Sequence, residues 1–114
     1  MPQKHSLTAI LPCNNLRASA EFYEKLGFSV EGNYGNYLIL SDGKGAALHL
    51  TEAVEGWLVP GKNPFGLYLY MEDVDELATR LGNKILRTPE NKPWGMYEFA
   101  ISDPDETLVR VGWS

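Results

Sequence analysis

Arg110 interrupts an otherwise apolar run near the end of the chain, TLVRVGW. A guanidinium cannot lose its proton and presents five donors in a rigid fork. In such a strand it has two uses: an ion pair with a neighbouring carboxylate, or donation to the carbonyls or acid groups of a ligand. The preceding segment, SDPDET, decides which neighbours it has. With Pro104 to Glu106 as the loop and the third of these in the left-handed region, Asp103 stands opposite Thr107. Ala100 then faces Arg110, and Glu98 lies diagonal to it on the same face, with Ser102 and Leu108. The other face reads Tyr97, Phe99, Ile101, Val109, Val111 and Trp113, which is the side to pack against a helix. Both uses of Arg110 are compatible with this placement.

Four aromatics occupy loops or loop edges: Tyr34 and Tyr37 around a Gly-Asn turn, Trp57 in a Gly- and Pro-rich segment, and Trp94 in PWGMYEF. Rings so placed can stack on a planar ligand. They can equally fill a dimer interface or cover a core. The remaining reactive types offer less. Cys13 is a small residue at a strand end, with no neighbour in sequence to activate it beyond a possible helix N-terminus. Glu21 and Glu24 fall on the solvated face of a helix, and Asp73 and Glu76 sit where they cap one. A lone histidine in a strand, His49, fits a hydrogen-bonded pocket or core residue. No paired acid and base and no phosphate loop are present.

The elements that position these residues repeat. SLTAILP reads as a strand from Leu7 to about Pro12, and Asn15 as the N-cap of a helix LRASAEFYEKL whose Leu16, Ala20, Tyr23 and Leu26 share a face. Gly27 ends that helix. Strands follow at SVEGN, NYLILS and AALHLT, the last two joined by a DGKG hairpin turn. After the loop EAVEGWLVPGKNPFG the order returns. FGLYLYM is a strand, and Asp73 with Glu76 forms a capping box for a helix presenting Val74, Leu77, Ala78 and Leu81. Gly82 is its stop, and strands follow near KILRT, MYEFAIS and TLVRVGW. The chain is thus two βαβββ modules, about 5–53 and about 64–114, offset by roughly 58 residues within one domain spanning 1–114. The class is α+β, with each module an open, curled sheet.

Length and composition agree. A chain of 114 residues with 44% hydrophobic and 22% charged residues is an ordinary globular domain. No apolar run is long enough to cross a membrane, and the start lacks a signal-peptide pattern. One cysteine excludes an internal disulfide and fits the cytoplasm. The net charge of −5 argues against nucleic acid as a partner; it suits a cationic small ligand, although most acidic proteins are acidic merely for solubility. Exposed sheet edges predict a homodimer.

The segments ILPCNNLRASAEFYEKLGF and ISDPDETLVRV resemble the glyoxalase, bleomycin-resistance and extradiol-dioxygenase superfamily. FYEKLGF, PWGMYEF and DPD followed by TLVR make the chain most similar to its bleomycin resistance proteins, over Leu7 to Trp113. One departure is Glu106, where relatives carry glycine. A left-handed Glu costs roughly 1 kcal/mol. The resemblance implies four ligand positions for metal-using members, at Thr8, His49, Leu67 and Arg110. Of these only His49 ligates a divalent ion well, and His5 cannot substitute, being an odd offset from Thr8 along a strand. Neither metal nor cofactor is therefore expected. The implied function is non-catalytic: binding of a bleomycin-type glycopeptide or similar cationic or planar antibiotic, with Tyr34, Tyr37, His49, Trp57, Trp94, Glu98, Ser102 and Arg110 as ligand-binding residues. A metal-dependent lyase or dioxygenase, and a binder of another small molecule on the same fold, are the alternatives.

Overall fold

Each helix in the computed structural model, which describes residues 5–114, lies against one face of a four-stranded sheet. The described residues fall into two compact units, the first ending at Trp57 and the second running Leu58–Ser114. The first contains β1 (Ala9–Cys13), α1 (Leu16–Lys25), β2 (Ser29–Asn33), β3 (Tyr37–Ser41) and β4 (Ala47–Glu52). The second contains β5 (Gly66–Tyr70), α2 (Val74–Leu81), a short 3-10 turn at Gly82–Lys84, β6 (Ile85–Asn91), β7 (Tyr97–Ser102) and β8 (Leu108–Trp113). The sheet orders are β1-β4-β3-β2 and β5-β8-β7-β6. The first pair in each is parallel and the others antiparallel. The α+β class and the two open βαβββ units are as the sequence predicts.

The helices form where side-chain chemistry favours them. Asn15 accepts a hydrogen bond from the Ala18 amide at 3.0 Å, which satisfies one of the orphan donors of the first turn. Gly27 and Gly82, at φ 105° and 60°, stand at the helix ends as expected. The capping box at α2 does not form. Asp73 occupies the N-cap position, but its φ of −88° and ψ of 47° leave its side chain without a capping bond. Asp75 and Glu76 in the first turn still complement the helix dipole.

The core of the second unit sets one face of β7 and β8 against α2. Phe99, Ile101, Val109 and Val111 are buried, as are Val74, Leu77, Ala78 and Leu81 of the helix. Burial of each large apolar side chain contributes about 1.5–3 kcal/mol, so the polar face of these strands is forced outward.

The turn between β7 and β8 is held from several sides. Asp103 Oδ1 accepts from the amides of Asp105 and Thr107 at 2.8 and 2.9 Å. Asn63 Nδ2 donates to the Asp105 carbonyl and to Thr107 Oγ1, both at 2.9 Å. Glu106 does adopt φ 68°. Its carboxylate accepts from the Gly61 amide at 2.6 Å, a bond that glycine could not make and that offsets the backbone cost. Asp103 meets Thr107 across this turn, and Ala100 pairs with Arg110, as the loop length requires.

Candidate functional site

Because the turn sets the register, Glu98, Ala100, Arg110 and Leu108 emerge on the face of the second sheet turned away from α2. With Leu86, Arg87, Lys92, Trp94 and part of Phe99 they line a hollow of about 340 Å³. Glu98 is its centre. The side chain is only 2% exposed, yet both oxygens are engaged. Oε1 accepts from the Tyr68 hydroxyl and from Trp94 Nε1, each at 2.8 Å. Oε2 faces Arg110 Nη1 at 3.5 Å. A buried carboxylate needs such donors to offset its desolvation.

These contacts orient the rest. The bond to Glu98 pins the indole edge of Trp94, while the residue stays 57% exposed. The Arg110 guanidinium lies 6.0 Å from the centroid of that ring and Lys92 Nζ 5.9 Å, within reach of cation–π attraction. Arg110's side chain is 43% exposed, and its single contact with Glu98 is long, because the other oxygen is taken. Its remaining donors are available to a ligand. The ion pair expected between Arg110 and a neighbouring carboxylate is thus present, with Glu98 buried and Arg110 half exposed.

Tyr68 completes the cluster. The register of β5 and β8 sets Tyr68 against Arg110 and Leu67 against Val109. This corrects the position carried over from metal-using relatives: Leu67 belongs to the helix side, and the hydroxyl of Tyr68 stands beside Arg110. The alternation Leu67, Tyr68, Leu69, Tyr70 would have revealed it, because period-two polarity marks the two faces of a strand. The Tyr68 ring passes over Gly112, where an added Cβ would come within 2.4 Å of the hydroxyl and 2.8 Å of Glu98 Cβ. Burial first, and then the bond to Glu98, push the Tyr68 phenol up to about 12. A raised phenol favours the folded state fully below pH 10.0, the ordinary value, and that contribution is lost as pH climbs through about 12.

Of the other expected site residues, Ser102 lies in the second unit and Tyr34, Tyr37, His49 and Trp57 lie in the first. Ser102 shares the face with Glu98 but stands at the far end of β7, opposite Leu108, and does not line the hollow. In the first unit, the Tyr37 hydroxyl and His49 Nδ1 are 2.7 Å apart, with the rings edge to face at 5.3 Å. His49 is therefore a hydrogen-bonded strand residue. Tyr34 is 69% and Trp57 59% exposed. Neither joins the Tyr37–His49 pair. Thr8 lies just before β1. Among the described residues, no three His, Cys, Asp or Glu side chains gather as a metal site would require. Of the positions that the resemblance implies, the hydroxyl of Thr8 and the guanidinium of Arg110 are poor ligands for a divalent ion, as is the phenol of Tyr68. Cys13 is buried at the end of β1. Among the described residues, no helix is long and apolar enough to cross a membrane.

Comparison with known proteins follows this geometry. Residues 7–114 match the model of the glyoxalase-like domain. A bleomycin resistance protein of Klebsiella pneumoniae is 29% identical over 118 residues, covering 91% of this chain and 88% of that protein. The crystal structure of a bleomycin-binding protein complexed with bleomycin matches with a TM-score of 0.82 and 26% identity, over 97% of this chain and 99% of that one. A bleomycin resistance determinant encoded on the transposon Tn5 matches with a TM-score of 0.82 and 27% identity, over 97% and 98% of the two chains.

Proposed function

Since the chain belongs to the glyoxalase-like domain family, we propose that it is a non-catalytic member that binds and sequesters a bleomycin-type glycopeptide or a similar planar small molecule. The observation that carries this reading is Trp94: its edge is tied to Glu98, more than half of the residue is exposed, and the half-exposed Arg110 stands beside it. An aromatic ring held in one orientation stacks on a flat ligand with little entropy loss. A guanidinium next to it recognises the ligand's carbonyls. The bleomycin resistance relative and the bleomycin-bound structure support the same ligand class. Trp57 and Tyr34 are exposed rings of the first unit. Residues 1–114 act in this reading as one binding domain. An enzyme of the superfamily that works through a bound metal is disfavoured by the donor chemistry of Thr8, Tyr68 and Arg110.

Titration of tryptophan fluorescence with metal-free bleomycin tests the proposal. Saturable quenching is expected, and it should be lost in Trp94→Ala. Arg110→Ala should weaken binding by about 1.5 kcal/mol, near tenfold, the low end for a charge-assisted bond because the guanidinium is half exposed. An unchanged fluorescence across the titration sinks the proposal. Tighter binding by Arg110→Ala would assign the attraction to net charge instead of donation.

A homodimer accompanies this reading. Edge strands β2 and β6 end their sheets, and Ile10 and Val30 are exposed, as a covered interface would require. Light scattering at micromolar concentration should give twice the chain mass of 12.8 kDa, and a monomer mass would reject the dimer.

A further inference from the structure

The charge of the hollow runs against that of the chain, and from this we propose that the second unit's site selects a flat aromatic ring bearing an acidic group, a carboxylate above all. The inference rests on the preceding reading that this hollow takes a planar ring. The chain has a net charge of −5. Yet three cations, Arg87, Lys92 and Arg110, line the hollow against one carboxylate, Glu98. That carboxylate is not available to a ligand. It is buried, Oε1 already accepts from Tyr68 and Trp94, and Oε2 faces Arg110. A ligand cation could reach it only by displacing those donors.

Arg87 and Arg110, by contrast, are presented outward. Arg87 is exposed, and its side chain makes no hydrogen bond or salt bridge among the described residues. It pairs across β6 and β7 with Ala100, which pairs across β7 and β8 with Arg110. Two strand steps place the two arginine backbones about 10 Å apart, with only a methyl group between them. Two guanidinium forks therefore flank a low floor, a geometry suited to a planar, bidentate acceptor. Lys92, mostly buried and paired with Glu90, lies over the Trp94 ring. Leu86 and Leu108 supply the apolar sides. The positively charged end of a bleomycin-type ligand would lie outside this hollow.

Calorimetric titration of the full chain with naphthoate, naphthamide and naphthylmethylammonium separates ring from charge, because the ring is shared. Naphthoate should bind about tenfold more tightly than naphthamide, and the ammonium compound should bind weakest. The acid preference should shrink with added salt and should largely vanish in an Arg87→Met, Lys92→Met double variant. Equal binding of acid and amide, tighter binding of the ammonium compound, no binding of any of the three, or a preference unchanged in the double variant would each overturn the inference. Bleomycin saturation without an acid preference removes this inference alone. An acid preference without bleomycin saturation supports the inference and removes the sequestration proposal alone.

Discussion

Gly112→Ala is expected to destabilise the protein by about 3 kcal/mol, the upper part of the range for forcing an extra carbon into a packed site. Gly112 is a β8 residue paired with Glu98 on β7 and Tyr70 on β5. A Cβ there meets the Tyr68 hydroxyl at 2.4 Å, Glu98 Cβ at 2.8 Å and the Tyr97 carbonyl at 3.1 Å. The first contact can be relieved by rotating the phenol, but the rotation breaks its bond to Glu98. The other two involve a buried stem and a backbone atom, neither of which moves without disturbing β7. Urea denaturation should show the lower midpoint, and ligand affinity should fall with it because the anchor of Trp94 shifts. Stability within about 0.5 kcal/mol of the parent, the usual scatter of surface substitutions, would mean that the ring of Tyr68 does not rest over Gly112.

Glu98→Ala should cost roughly 2–3 kcal/mol, the combined effect of leaving the Tyr68 and Trp94 donors without their shared acceptor. The cost stays below that of breaking a fully buried ion pair, because Arg110 is half exposed and water can solvate it. The variant also has a spectroscopic consequence. The Tyr68 phenol, held at about 12 first by burial and then by Glu98, should titrate at lower pH once the carboxylate is gone. The change in phenolate absorbance between Glu98→Ala and a Glu98→Ala, Tyr68→Phe double variant reads this residue apart from the other tyrosines. Glu98→Gln keeps an acceptor oxygen and should retain most of the Trp94 geometry, although it loses the charge that faces Arg110. An unchanged Tyr68 titration in Glu98→Ala would show that the hydroxyl and the carboxylate are not partners.

Local rules decided much of this protein before any coordinates. The helix over Leu16–Lys25 follows from an Asn cap, apolar spacing and a glycine stop, all interactions within a few residues. The pairing of Ala100 with Arg110 was equally legible, because a three-residue loop with a left-handed last position permits one register. Glu98 beside Arg110 follows from that register and from strand alternation. What only the tertiary structure decided is what lies across non-adjacent strands. The parallel pairing of β5 with β8 joins segments some forty residues apart in sequence, and no turn dictates its register. It moved Tyr68 into the place expected of Leu67 and stacked it over Gly112. The bulge of β6 at Leu86 likewise brought Arg87 level with Arg110. The capping box at Asp73 failed for a related reason: its backbone angles carry the side chain away from the helix amides, and a sequence pattern does not specify them. Short-range geometry thus named the charged pair at the heart of the site. The phenol, the extra arginine and the ring pose that give the site its shape depend on long-range pairing.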